Sequence, residues 1–334
     1  MGDQDDTPEA LEGVLVIDKP TGPTSHDVVF KLRRALRMKR IGHAGTLDPL
    51  ASGVLVVLLG QATKLGPYVT LHDKRYEARV TFGRSTDTLD AQGSIIKEAP
   101  LPDWLRDELT TLTQSKSLAQ APRLQAAIAL EVARKAQTPP AYSAIKVDGQ
   151  RSYDRARRGE QVVLDDRPVE VATIEVLGAG FVEEQNLGYV DLGLDVSKGY
   201  YVRSLARDLG QTLGVPSFLG ALRRTRSGPF ELEESVKLDA SRAELERSVI
   251  PVAKTVLRCM PTATLTEAGV VRASQGKHLK AEDFTVMPSS SADIVAWLSP
   301  EGFLVAIGAA EQEAYVVRRG FTVGRTPLTD VSRV

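Results

Sequence analysis

One carboxylate sits inside a glycine-rich turn, Gly42-His43-Ala44-Gly45-Thr46-Leu47-Asp48-Pro49-Leu50-Ala51-Ser52-Gly53-Val54-Leu55, and an apolar run to Leu59 follows it. Glycine opens backbone conformations closed to other residues and lets a ligand come close. Pro49 fixes its own φ and biases Asp48 away from helix. A carboxylate held on a stiff loop above a buried strand can act as a nucleophile or a general base. The plainer alternative is an Asx-type turn that closes a loop, and spacing alone leaves the two readings level. The segment is not a dinucleotide fingerprint, because no G-x-G-x-x-G opens a helix after a strand, and it lacks the Gly-Lys-Ser/Thr of a P-loop. Tyr76 and Tyr201 stand at the starts of a strand and a helix, where each taken alone fits a core better than a site. His43, five residues before Asp48, also fits a simple turn histidine.

Regular elements must hold these groups. Val14 to Asp18 predicts a short buried strand. Ser25 is the expected N-cap of a helix through Arg37, with Val28, Val29, Leu32 and Leu36 on one face. Val54 to Leu59 predicts a buried strand and Thr63 to His72 a short helix. Lys74 to Gly83 predicts a strand with Tyr76, Ala78, Val80 and Phe82 on one side. Residues 84–93 read as polar loop, and Leu101 to about Leu118 as helix. Val169 to Val176, Tyr189 to Val196 and Leu219 to Arg226 predict strands; Val202 to Leu213 predicts a helix stopped by Gly214 and Pro216. Strands and helices mix without a regular βαβ repeat, so the expected class is α+β with a mostly antiparallel sheet. After about residue 250 the texture changes. Ala263 to Gln275 predicts a helix there, and Phe303 to Gly308 with Ala314 to Arg318 a pair of strands, together a small β-rich domain.

The 334 residues predict two domains, and 42% hydrophobic with 25% charged residues is the composition of a soluble globular protein. No apolar run approaches the ~18 residues of a membrane span. Asp3, Asp5, Asp6, Glu9 and Glu12 precede the first base, Lys19, which is unlike a secretory leader. Residues 1–12 are expected to form a flexible acidic tail. The single cysteine, Cys259, excludes intramolecular disulfides and Cys-rich zinc sites. His26, His43, His72 and His278 show no metal-ligand spacing, so a cytoplasmic protein without metal is expected. A net charge of −1 is low for a nucleic-acid binder. Bases nevertheless cluster: Lys31, Arg33, Arg34, Arg37, Lys39, Arg40 and Lys64; Arg151, Arg155, Arg157 and Arg158; Arg223, Arg224 and Arg226. Such local excess builds phosphate-binding surfaces, with solvated helix faces as the alternative.

Three further segments accompany the glycine-rich turn, which itself continues to Gly60-Gln61-Ala62-Thr63-Lys64. They are Asp18-Lys19-Pro20-Thr21-Gly22-Pro23-Thr24-Ser25-His26, Pro139-Pro140-Ala141-Tyr142-Ser143-Ala144-Ile145-Lys146 running on to Gly159, and Ser197-Lys198-Gly199-Tyr200-Tyr201-Val202-Arg203-Ser204 running on to Gly210. In order and spacing, over residues 13 to about 240, the four resemble the motifs of the bacterial tRNA pseudouridine synthase B (TruB) family. The resemblance implies the pseudouridine synthase fold over 13–250, a central mixed, mostly antiparallel sheet with the cleft across its middle. By position it implies a PUA-like RNA-binding domain over 251–334. It implies isomerisation of uridine to pseudouridine in the tRNA T loop (position 55), with the base flipped out of the stack. No cofactor, DNA or membrane partner is then expected, and the default is a monomer bound to the T stem-loop.

Residue by residue, the resemblance makes Asp48 the essential aspartate, attacking covalently or abstracting a proton on a glycal route. It makes Arg203 the counter-ion, which favours the carboxylate; a bare surface arginine so near a helix N-terminus would be disfavoured by the dipole. Tyr76 would stack on the flipped base and take the proton at C5, and Tyr201 would help order the Asp–Arg pair. His43 would fill the space left in the RNA loop, and Leu222 would form an apolar pocket wall. Lys19, Pro20 and Lys64 lie in the motifs with no chemistry assigned. Residues 118–137 depart from the family pattern, which leaves the grip of the adjoining RNA-binding loop open. A guide-dependent relative and a catalytically idle RNA binder are the other readings; a hydrolytic glycosidase lacks a visible partner carboxylate.

Overall fold

The computed structural model describes residues 11–115, 117–143, 145–147, 150–158, 160, 164–288, 293–311 and 314–322. The chain opens with β1 (Gly13–Lys19), α1 (Ser25–Leu36), β2 (Ile41–Ala44), β3 (Ser52–Leu59) and β4 (Lys74–Phe82). Helices α2 (Asp103–Ser115) and α3 (Pro122–Val132) precede β5 (Val171–Val182), β6 (Leu187–Val196), α4 (Val202–Leu213), β7 (Ser217–Ser227) and the short β8 (Val236–Lys237). The central sheet runs β5-β6-β4-β7-β3-β1-β8, with β2 beside β3. Only β7/β3 and β1/β8 are parallel along that path, so the sheet is mixed and mostly antiparallel, as expected.

β1 and β3 read as unbroken apolar runs because both of their faces are covered. Leu15, Ile17, Leu55, Val57 and Leu59 pack into the cluster that holds Val28, Val29, Leu32 and Leu36 of α1. The alternate residues, Val14, Val16, Val54, Val56 and Leu58, pack against Phe230, Val256, Ala296, Leu298, Ile307 and Phe321. The last four come from a second sheet and the residue after it. That sheet comprises β9 (Thr262–Leu265), β10 (Phe284–Val286), β11 (Val295–Leu298), β12 (Leu304–Glu311) and β13 (Ala314–Gly320), ordered β10-β9-β11-β12-β13. A continuous apolar strand pair thus serves as the core of one sheet and the floor of the other.

Four local expectations change. Thr24, not Ser25, caps α1: its Oγ1 accepts the Asp27 N–H at 3.1 Å while the Asp27 carboxylate accepts the Thr24 N–H at 2.8 Å. The helix expected over Thr63 to His72 is a 3-10 turn, Gly60–Leu65, followed by a separate turn of helix, Gly66–Val69. Pro67 lacks an N–H and starts a new N-terminus. The polar segment 84–93 begins with a strand, Arg84–Thr86, paired to Ile95–Glu98. Ala263 to Gln275 divides into β9, whose alternation buries Ala263 and Leu265, and a helix Glu267–Ser274 capped by Thr266. Residues 1–10 of the expected acidic tail lie outside the described residues. Of the remainder, Leu11 packs on the core and Glu12 accepts from Gln61. Among the described residues no helix is long and apolar enough to cross a membrane.

Candidate active site

The glycine-rich segment is half strand and half loop. Gly42, His43 and Ala44 belong to β2, and residues 45–51 form the loop that carries Asp48 onto β3. The loop is tied from several sides. The Leu47 N–H donates to Ser25 Oγ at 2.9 Å, and that hydroxyl donates back to the Leu47 carbonyl at 3.1 Å. The Gly22 N–H reaches the Pro49 carbonyl at 2.8 Å, and the Ala51 N–H closes on the Asp48 carbonyl at 3.0 Å. Ser25 is buried, so Ser25→Ala leaves both Leu47 groups unpaired. We expect a loss of about 1–3 kcal/mol in stability, read from denaturant midpoints, together with slower turnover because Asp48 rides on that loop.

Asp48 meets Arg203 at 2.9 Å, Oδ2 to Nε. The arginine side chain is 7% exposed and the aspartate 36%, so the cation is buried while the carboxylate faces the opening. Arg203 is the second residue of α4, where the helix dipole disfavours a cation. Its donors answer that cost: Nη1 donates to the Thr88 carbonyl at 3.2 Å and Nη2 to the Tyr142 carbonyl at 2.8 Å. Asp90, also buried, stands 3.9 Å away. Three distant segments therefore converge on one guanidinium. Asp90, Thr88 and Tyr142 were not singled out in the sequence; a carboxylate in the polar stretch 84–93 was the available signal.

Tyr201 is the N-cap residue of α4. Gln137 clamps its backbone, accepting the N–H at 2.9 Å and donating to the carbonyl at 3.2 Å. Burial raises the Tyr201 phenol above its usual range, with Arg167, Arg203 and Asp48 also acting on it. Tyr76 is buried in β4, opposite Leu194 on one side and Arg224 on the other. It shares a packed cluster with Leu47 and Val202, the chain neighbours of Asp48 and Arg203. Leu222, half-buried in β7 opposite Ala78, lines an open cleft of about 630 Å³ together with Leu50, Thr21 and Glu77. The His43 ring stands edge-on to His26, with ring centroids 5.5 Å apart. Burial first, then the charges of His26 and Arg224, lowers its pKa and keeps it neutral at pH 7.

Two buried cations back the site. Arg224 is 1% exposed, and its guanidinium donates to the carbonyls of Val54 at 2.8 Å and Gly45 at 3.0 Å. Gly53 takes a positive φ of 96° beside it, and a Cβ there would stand 2.1 Å from the Arg224 carbonyl oxygen. Arg224 is thus no phosphate ligand, contrary to the sequence clustering. Its neighbours Arg223 and Arg226 are paired with Asp18 and Asp195. Strand geometry separates residues that look adjacent in sequence. Lys19 is fully buried, its Nζ donating to the carbonyls of Pro20 at 2.9 Å and Pro23 at 2.8 Å. Burial pulls its pKa down from 10.5 to about 8, against the opposing pull of Asp48. The unfolded chain therefore binds this proton more tightly than the folded one between those values, and stability gains with rising pH in that window. We expect Lys19→Met to flatten the rise in thermal midpoint from about pH 8 to 10 relative to the parent chain.

Among the described residues no group of His, Cys, Asp and Glu forms a metal cage.

Two family models match the chain, TruB family pseudouridylate synthase (N-terminal domain) over residues 33–202 and tRNA pseudouridylate synthase B C-terminal domain over 203–256. The tRNA pseudouridine synthase B of Opitutus terrae is 43% identical over 246 residues, 72% of this chain and 93% of the relative. That of Thermobifida fusca is 40% identical over 298 residues, 89% of this chain and 94% of the relative. Among solved structures, the chain resembles the archaeal box H/ACA sRNP Nop10-Cbf5 complex, with 24% identity, a TM-score of 0.64, and coverage of 93% of this chain and 86% of that one. At that identity the likeness speaks for the fold alone.

Proposed function

The chain belongs to the TruB family of pseudouridylate synthases, and we propose that it converts uridine to pseudouridine in tRNA, at the T-loop uridine, position 55. The observation that carries this reading is the half-exposed Asp48 carboxylate held at 2.9 Å by a buried arginine at the middle of the sheet. A base must leave the stack before its glycosidic bond can be reached, and Tyr76 supplies an aromatic face for it. Asp48 then attacks C1′, or removes the C2′ proton toward a glycal, as the base departs with the N1 electron pair. The base turns and C5 bonds to C1′ as the Asp48 carboxylate leaves C1′ or, on the glycal route, as Asp48 returns its proton to C2′. The C5 proton leaves by way of Tyr76, and N1 takes up a proton. Reactant and product are isomers, so no cofactor is consumed. Arg203 holds Asp48 in place by its ion pair, Tyr201 supports the pair, Leu222 walls the pocket, and neutral His43 fills the gap left in the RNA loop.

In this reading residues 13–250 form the catalytic domain and 251–334 a PUA-like RNA-binding domain in a monomeric, cytoplasmic enzyme. A T-arm hairpin transcript labelled with tritium at uridine C5, with no added metal or cofactor, tests the reading. We expect tritium in the solvent and one pseudouridine per hairpin. Bound RNA that keeps its tritium would identify an idle binder or a guide-dependent relative instead.

A further inference from the structure

Helix α4 carries Arg203 at a start that its own residues hold poorly. The N-cap residue is Tyr201, whose side chain makes no capping hydrogen bond. Ser, Thr, Asp or Asn at that place would satisfy one of the free N–H groups of the first turn. The helix dipole also opposes a cation at the second position. A first turn of this kind frays unless something outside the helix holds it, and Arg203 moves with it.

Gln137 supplies that hold. Its amide accepts the Tyr201 N–H at 2.9 Å and donates to the Tyr201 carbonyl at 3.2 Å. The same carbonyl takes the Leu205 N–H at 3.2 Å, the bond that opens the helix. Gln137 can keep this direction because its own backbone is pinned. Ala136–Gln137 pairs with Arg167–Pro168, and the Val169 N–H closes on the Lys135 carbonyl at 3.0 Å. The residue is 1% exposed, so it lies beneath the site and out of reach of a substrate. Burying a side-chain amide is costly unless it is hydrogen-bonded. Here both ends are bonded, and both to one residue.

The segment that begins with Gln137 also reaches Arg203 directly. The Thr138 carbonyl takes Ser204 Oγ at 2.9 Å and Arg207 Nη2 at 3.0 Å, farther along the helix. The Tyr142 carbonyl takes Arg203 Nη2 at 2.8 Å. Between these contacts lie Pro139 and Pro140, both buried. Proline fixes φ, so the two ends of the stretch keep their spacing. Gln137 at one end holds the start of α4, and Tyr142 at the other holds the guanidinium that α4 presents.

We propose that Gln137 is a positioning residue: by clamping the Tyr201 backbone it fixes the first turn of α4 against the segment 138–142, so that Arg203 meets the Asp48 carboxylate in one place. This role rests on the reading that Asp48 and Arg203 serve the isomerisation. Gln137 touches no reacting atom, and its effect reaches the chemistry through Tyr201 and Arg203.

The test uses the full chain and three variants, read at a temperature where each is folded. Gln137→Met keeps the length of the side chain and loses both bonds. Gln137→Asn keeps an amide that is one methylene short of spanning both Tyr201 groups, and serves where Met disrupts the fold. Ile128→Ala opens a cavity in the core cluster that also holds Leu205 and Leu209, and controls for stability alone. Single-turnover tritium release from the T-arm hairpin, hairpin affinity, thermal midpoint and amide exchange along α4 are measured on each. In both Gln137 variants we expect release slower by about 10–10²-fold with unchanged affinity. Exchange over residues 201–206 should rise more than over the rest of α4. Ile128→Ala should lower the midpoint and keep the rate. A release rate that follows the midpoint alike in all three variants overturns the role of Gln137, as does unchanged exchange over 201–206. If the parent chain itself releases no tritium, the proposed activity falls, and the exchange pattern still decides whether Gln137 holds the first turn.

Discussion

Asp48→Asn should bind the T-arm hairpin as tightly as the parent chain and release tritium from C5 at a rate lower by about 10⁴-fold or more, the scale seen when a nucleophile is removed from a preorganised site. The substitution keeps the shape of the side chain and its contact with Arg203, since the amide oxygen still accepts from Nε. What disappears is the charge. An amide can neither attack C1′ nor take a proton, and both routes open to Asp48 require one of these acts. Stability should change little or improve, because the exposed carboxylate is held for chemistry and not for packing. The measurement is tritium release under single turnover, paired with a binding isotherm on the same hairpin. Turnover within tenfold of the parent would show that another group breaks the glycosidic bond.

Much of this site is legible in the sequence because its geometry is local. The turn that carries Asp48 needs Gly45 and Gly53 at positive φ, and those glycines stand out in the chain. The helix Val202–Leu213 is bounded as expected, since Gly214 adopts the left-handed conformation that ends it. What stays hidden is long-range. Nothing near Arg203 in sequence marks Thr88, Asp90 or Tyr142 as its partners, because they arrive from separate loops. Ser25 was read as a cap from its neighbours alone, whereas a contact 22 residues away decides its role. Arg224 looked like a surface cation in a basic run, yet it lies under Gly45 and Gly53 in the middle of the sheet. Charge clustering along a chain records composition; which charges remain free is decided by the fold.

The second large effect belongs to Arg203. A guanidinium can satisfy Asp48, the Thr88 carbonyl and the Tyr142 carbonyl at once because its donors leave in fixed, divergent directions. Arg203→Lys retains the charge but cannot reach all three, so Asp48 is held by a mobile point charge and at least one buried carbonyl loses its donor. The expected fall in kcat/KM is about 10²–10³-fold, comparable with losing one preorganised electrostatic contact. Arg203→Met goes further, leaving buried Asp90 and half-exposed Asp48 without the guanidinium beside them. Breaking a buried pair from one side costs about 3–5 kcal/mol. Turnover and the thermal midpoint should therefore both fall further in Arg203→Met than in Arg203→Lys. If both variants slowed equally, Arg203 would be acting as a strut for the loops around it and not as the counter-ion of Asp48.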